Sequence, residues 1–158
     1  SKHPYMPVDQ IAANINVDSL NVVGPTRDLA VLGAVRSSLG PMPTTIVKAR
    51  GREVTGDNEP GAGHFFRSDH FPFAKVGVPS ISLKEGSDYI GHPKEWGEQK
   101  FKEYNEAHYH QPSDEFRDDW NFDGMIQEAD FALEIGRRVG DMLMLPKFNP
   151  NDEFAKKK

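Results

Sequence analysis

The chain has no cysteine, which excludes disulfides and thiolate metal sites without fixing a compartment. No stretch approaches the roughly 20 consecutive apolar residues that a membrane helix needs, so no membrane partner is expected. Basic residues are not in excess: the formal net charge is −5, and no Lys/Arg run interrupts the fold-forming part. Nucleic acid is therefore not an expected partner either. The terminal Lys156-Lys157-Lys158 reads as a solvated run, at the end of a tail over residues 147–158. No signal-peptide pattern opens the chain. Its start, Ser1-Lys2-His3-Pro4-Tyr5, reads like the interior of a longer protein, whose own N-terminus could have carried one.

What remains is a globular composition, 37 % apolar and 27 % charged over 158 residues, long enough for one domain with a real core. Strand and helix patterns alternate. Ala13–Asp18 reads as a strand with Ile15 and Val17 on one face, Leu29–Leu32 as a short apolar strand and Arg52–Thr55 as another. Pro41 and Pro43 delay a helix within residues 37–50. Ser68 reads as the N-cap of a short helix reaching Val76, with Gly77 at its C′ position, and Val78–Leu83 as a buried strand. A charged helix is expected over Glu98–Ala107. The clearest element is the last: Phe122, Met125, Ile126, Ala129, Leu133, Gly136, Val139 and Leu143 recur as one helical face, with Asn121 as cap and Pro146 as stop. The expected class is α/β, a mixed sheet flanked by helices.

Two residues carry the chemistry. Asp18 ends the first strand, and His110 lies in Tyr109-His110-Gln111-Pro112-Ser113-Asp114-Glu115. Pro112 disfavours helix, so His110 is expected where an extended segment gives way to a loop. A carboxylate and an imidazole are two of the ligand types of a hydrolytic zinc site. Each has a plain alternative: His110 as a surface ring bonded to Asp114 or Glu115, and Asp18 as the cap of the turn containing Ser19 and Asn21. His108 adds a His-x-His spacing, which places both rings on one face of an extended segment. Ser68 and His70 do not form a nucleophile pair, since no Gly-x-Ser-x-Gly elbow is present. Phe65, Phe66, Phe71 and Phe73 read as core rather than as a substrate pocket.

The ordered series Asn14-Ile15-Asn16-Val17-Asp18, Gly24-Pro25-Thr26-Arg27-Asp28-Leu29, Phe65 to Ala74, Gly77-Val78-Pro79-Ser80 and Tyr109 to Glu115 resembles the C-terminal half of a family-28 metallopeptidase. That family comprises dizinc aminopeptidases and their glutaminyl cyclase relatives. Each motif alone is weak, but together they cover most of residues 5–140 in the family's order. The resemblance implies that Asp18 binds one zinc and His110 the other, and that Tyr109 contacts the scissile carbonyl as it becomes an oxyanion. It also implies that Ser68, Asp69 and His70 lie beside the site and support it.

The departure is in what precedes Asp18. Family members carry a further histidine, a bridging aspartate, a general-base glutamate and a ligand glutamate upstream, and this chain has none of these. Residues 1–146 are accordingly expected to be part of a catalytic domain, one that is inactive alone and binds zinc weakly or not at all. The expected substrate of the complete enzyme is a peptide. A glutaminyl cyclase is disfavoured because those enzymes have tryptophan where Tyr109 stands, and Asp-Asp-His where Ser68-Asp69-His70 stands. A metal-free interaction module on the same fold is the third reading. Two further expectations follow from the resemblance: a homodimer through an exposed strand edge at residues 11–18, and a secreted or periplasmic location for the complete enzyme.

Overall fold

A computed structural model describes residues 5–18, 21–56 and 63–155. Among these, four strands form one mixed sheet: β1 (Asn14–Val17), β2 (Asp28–Leu32), β3 (Glu53–Thr55) and β4 (Ser80–Glu85), in the order β1-β4-β2-β3. β1 runs parallel to β4, β4 antiparallel to β2, and β2 parallel to β3. The register pairs Val17 with Leu83 and Leu83 with Val31. The end of β1, the end of β4 and the start of β2 therefore share one edge of the sheet. The loop reaching Gly61 and Ala62 falls partly outside the described residues, as do Ser19 and Leu20.

Alternation along the strands gives the sheet two unlike faces. Ile15, Val17, Ile81, Leu83, Leu29 and Val31 point to one side. There they pack against α1 (Pro41–Ala49) and α4 (Asp123–Gly140), with Phe131 and Ile135 fully buried. Burying each such side chain stabilises the fold by about 2 kcal/mol. Asn14, Asn16, Ser80, Ser82 and Lys84 point the other way. Leu32 on that side meets a smaller cluster of Phe65, Ala74 and Phe148. Residues 147–155 run back over this face, where Phe154 joins the cluster and Asp152 pairs with Arg36.

Three expectations need correction. Ser68 does not cap α2 (Phe71–Lys75): the residue before the helix is His70, no side chain caps it, and Pro72 sits in its first turn. Ser68 contributes only a backbone carbonyl, to the N–H of Phe71 at 3.0 Å. Gly77 does take the left-handed C′ conformation, with φ 83°.

The second correction concerns α4. Its buried stripe is Gly124, Glu128, Phe131, Ile135 and Val139, of which the expected face contains only Val139, whereas Phe122, Ile126 and Leu133 are exposed. The two series are offset by two residues, about 200° around the helix axis, so α4 is apolar on two nearly opposite sides. The side with Phe131 packs on the sheet, and Gly124 at its start lets the helix approach the turn at Asn21 and Gly24. A Cβ at Gly124 would collide with the carbonyl of Gly24 and the side chain of Asn21.

Third, the segment before His110 is not extended. α3 (Trp96–Ala107) continues to His108, which closes the helix by donating its N–H to the carbonyl of Tyr104 at 2.8 Å.

Candidate functional site

Asp18 follows β1 at the carboxyl end of a parallel strand pair, the edge at which open α/β sheets place their ligands. Its carboxylate accepts a hydrogen bond from Asn16 Nδ2 at 2.8 Å and pairs with Lys84 Nζ at 3.3 Å. Asn16 also donates to Ser82 Oγ at 3.3 Å. All four residues belong to the polar face, and the strand alternation that brings them together follows from β1 and β4 being in register. The turn after Asp18 is organised by Asn21, whose Oδ1 accepts from the N–H groups of Val23 and Gly24.

His70 lies on the same face, fully buried and edge-to-face with Phe65 at 4.7 Å. Neither ring nitrogen meets a partner in good hydrogen-bonding geometry. Burial pushes the imidazole below its ordinary pKa, and the negative charge of Asp18 pulls the other way. Of its neighbours, Ser68 is half-buried and Asp69 exposed. The phenylalanines divide: Phe65 is buried, Phe71 packs against its cluster through Phe154, and Phe66 and Phe73 are partly exposed.

His110 occupies the left-handed region, φ 57°, alone among the described non-glycine residues. Such a conformation persists only where its surroundings enforce it, and it is common at working sites. Its ring stacks on Tyr109 at 3.9 Å, and Tyr109 tilts against Tyr104. The Asp114 carboxylate takes the Tyr104 hydroxyl at 2.9 Å. His108 Nδ1 lies 3.1 Å from the Ser113 carbonyl. The left-handed turn separates His108 and His110, so the two rings do not share an extended face.

Among the described residues no three His, Asp or Glu side chains come together to hold a metal ion. The donors among the described residues thus fall short of the three protein ligands of a catalytic zinc centre. A cavity of about 220 Å³ bounded by Leu32, Val35, Arg36 and Phe65 lies on the β2 side of the sheet, two strands away from β1. Its arginine is already held by Asp152 and Glu153.

Sequence reasoning missed three residues here. Lys84 is the next same-face position after Ser80 and Ser82, and that alternation is its signal. Glu128 is the charged member of the true buried stripe of α4, one step from Phe131. Burial raises its carboxyl to about 7. Glu85 alternates to the apolar side, where burial raises its carboxyl as well.

The sequence pattern that defines peptidase family M28 matches residues 1–133. No curated protein and no solved structure matches the chain.

Proposed function

The chain belongs to peptidase family M28, a family of typically zinc-dependent metallopeptidases, and from that premise we propose that it forms part of an aminopeptidase releasing N-terminal residues. The observation that carries the reading is the placement of Asp18 at the carboxyl end of β1, on the polar face and facing Lys84. Asp18 supplies an oxygen donor and His110 a nitrogen donor, both of types that zinc takes. Tyr109, stacked on His110, donates its hydroxyl to the carbonyl oxygen of the peptide bond under attack. Ser68, Asp69 and His70 support the Asp18 side of the site. The identity of Tyr109 and of Ser68 favours peptide hydrolysis over glutaminyl cyclisation.

Acting alone, the chain binds zinc weakly and does not turn over peptides. A lone carboxylate or imidazole holds a hydrated zinc ion poorly, and hydrolysis needs a base beside the water. Glu128 cannot serve: it is buried and engaged with Asn21. Glu85 points to the opposite face of the sheet from Asp18. The outer edge of β1 is where a second copy pairs, and the complete enzyme works outside the cytoplasm.

Calorimetric titration with zinc, together with assays on aminoacyl-nitroanilides and N-terminal glutaminyl peptides, tests the reading. The expected result is weak binding and no turnover by the chain, with aminoacyl-nitroanilide cleavage once the remaining ligands are supplied on a joined polypeptide. Tight stoichiometric zinc binding by the chain would overturn its inactivity. Preference of the joined protein for glutaminyl cyclisation would overturn the aminopeptidase assignment.

A further inference from the structure

The segment leaving Asp18 and the segment leaving His110 meet at the first two turns of α4. Asn121 donates its N–H to the Val22 carbonyl at 2.8 Å. Asn21 donates its N–H to Glu128 Oε2 at 3.1 Å. Gln127 closes a reciprocal pair with Thr26, accepting from its N–H at 3.1 Å and donating to its carbonyl at 3.2 Å. These bonds consume backbone groups of a buried connection that would otherwise lack partners. Gly124 removes the side chain that would hold the two segments apart.

A buried carboxyl group is an expensive way to bond one amide. Glu128 is 2 % exposed, and its Oε1 has no partner. Nearby, Arg52 attracts it without a direct pair, since the Arg52 guanidinium is bonded to Thr26 Oγ1 and the Asp28 carbonyl. An apolar residue continuing the Phe131–Ile135 stripe would stabilise the helix packing more. What Glu128 adds is a fixed point for Asn21, whose side chain in turn organises the turn three residues beyond Asp18.

We propose that Glu128 is a positioning residue: with Gln127 it clasps the Asn21–Thr26 connection to α4 and so sets the separation between the Asp18 segment and the His110 segment. The value of that separation for catalysis rests on the reading of Asp18 and His110 as ligands. The clasp itself does not, and its test makes no use of metal or turnover.

The absence of cysteine allows paired spin labels to be placed without background. Labels at Val23→Cys and Gln111→Cys report the distance between the two segments. Labels at Thr45→Cys and Lys75→Cys, on α1 and α2 across the sheet, report the frame. Expected is a single narrow distance for both pairs, loss of the narrow 23–111 distance in Glu128→Met with the 45–75 distance unchanged, and its return in Glu128→Gln, which keeps an acceptor for Asn21. An unchanged 23–111 distance in Glu128→Met overturns the proposal. So does equal broadening of both pairs, which marks general loosening. If Glu128→Met does not fold, Gln127→Ala, which removes both Thr26 bonds, is judged by the same two distances. Any of these failures leaves the peptidase reading intact, because the zinc and substrate assays decide that separately.

Discussion

On one face of the sheet Ile81, Leu83, Leu29 and Val31 lie against Phe131 and Ile135 in a closed apolar cluster. On the other, Ser80, Ser82 and Lys84 share the face with His70, and the apolar cover is the smaller cluster of Phe65, Ala74, Leu32 and Phe148 with Phe71, Phe154 and Ala155 packed on it. The polar face also keeps buried atoms without a well-formed partner: Asn14 Oδ1 and the nitrogens of His70, for which the Phe65 carbonyl is an acceptor in poor geometry. Each such atom costs about 1–3 kcal/mol, and the apolar face has to offset it. The division of labour is physical. One side of the sheet supplies most of the apolar packing and the other carries the polar groups beside Asp18, with Glu128 as the exception, a buried carboxyl on the apolar side whose Oε1 also lacks a partner.

The sharpest way to break this comparison is to damage the apolar face. Ile135→Ala, at a fully buried position, is expected to destabilise the chain by about 3–4 kcal/mol, measured by urea unfolding. A loss below about 1 kcal/mol would mean that the Phe131 stripe is not the one packed.

The next effect is on pH dependence. Burial holds the Glu128 carboxyl at about 7 against an ordinary 4.5, so the folded chain keeps this proton longer than the unfolded one. The stability this confers is fully present below the unfolded value and is lost as pH rises through 7, on the order of 3 kcal/mol. Glu85 adds a loss of the same sign. Wild type is therefore expected to lose more stability than Glu128→Gln between about pH 5 and about pH 8. Equal losses would show that Glu128 ionises normally.

On the polar face the sign reverses. His70→Leu removes two buried nitrogens that have at most a poorly aligned contact with the Phe65 carbonyl, and is expected to stabilise the chain by about 1 kcal/mol at pH 8. Destabilisation would reveal a hydrogen bond that His70 makes in solution. The smallest effect is expected for Lys84→Met. Lys84 and Asp18 are 29 % and 42 % exposed, so breaking their pair changes stability by less than about 1 kcal/mol, in a urea titration at moderate salt.

Much of the frame was legible in the residues. Alternation placed Ile15 and Val17 together, Pro41 and Gly77 marked the ends of helices, and the ordered motifs named the family. α4 defeated the reading because its sequence offers two apolar stripes. The one that packs begins with Gly124 meeting the Asn21–Gly24 turn, a contact between segments about a hundred positions apart. Periodicity carries no information about such a contact. The Ser68 cap failed for a more local reason: α2 begins at Phe71 with Pro72 in its first turn, and Ser68 offers that turn its backbone carbonyl. Asp18 was legible as an acid at a strand end, whereas its pairing with Lys84 required knowing that β4 lies beside β1.

The edge position of β1 leaves a signature that can be read amide by amide. Asn14 donates its N–H inward, to the Pro79 carbonyl at 2.9 Å, and alternate strand residues point their N–H groups to opposite sides. Asn16 therefore faces β4 as Asn14 does, while Ile15 and Val17 present theirs to the outside. In deuterated solvent the strand should label in a two-beat pattern, slow at 14 and 16 and fast at 15 and 17. Whatever polypeptide comes to lie alongside β1 will announce itself by silencing the fast beats.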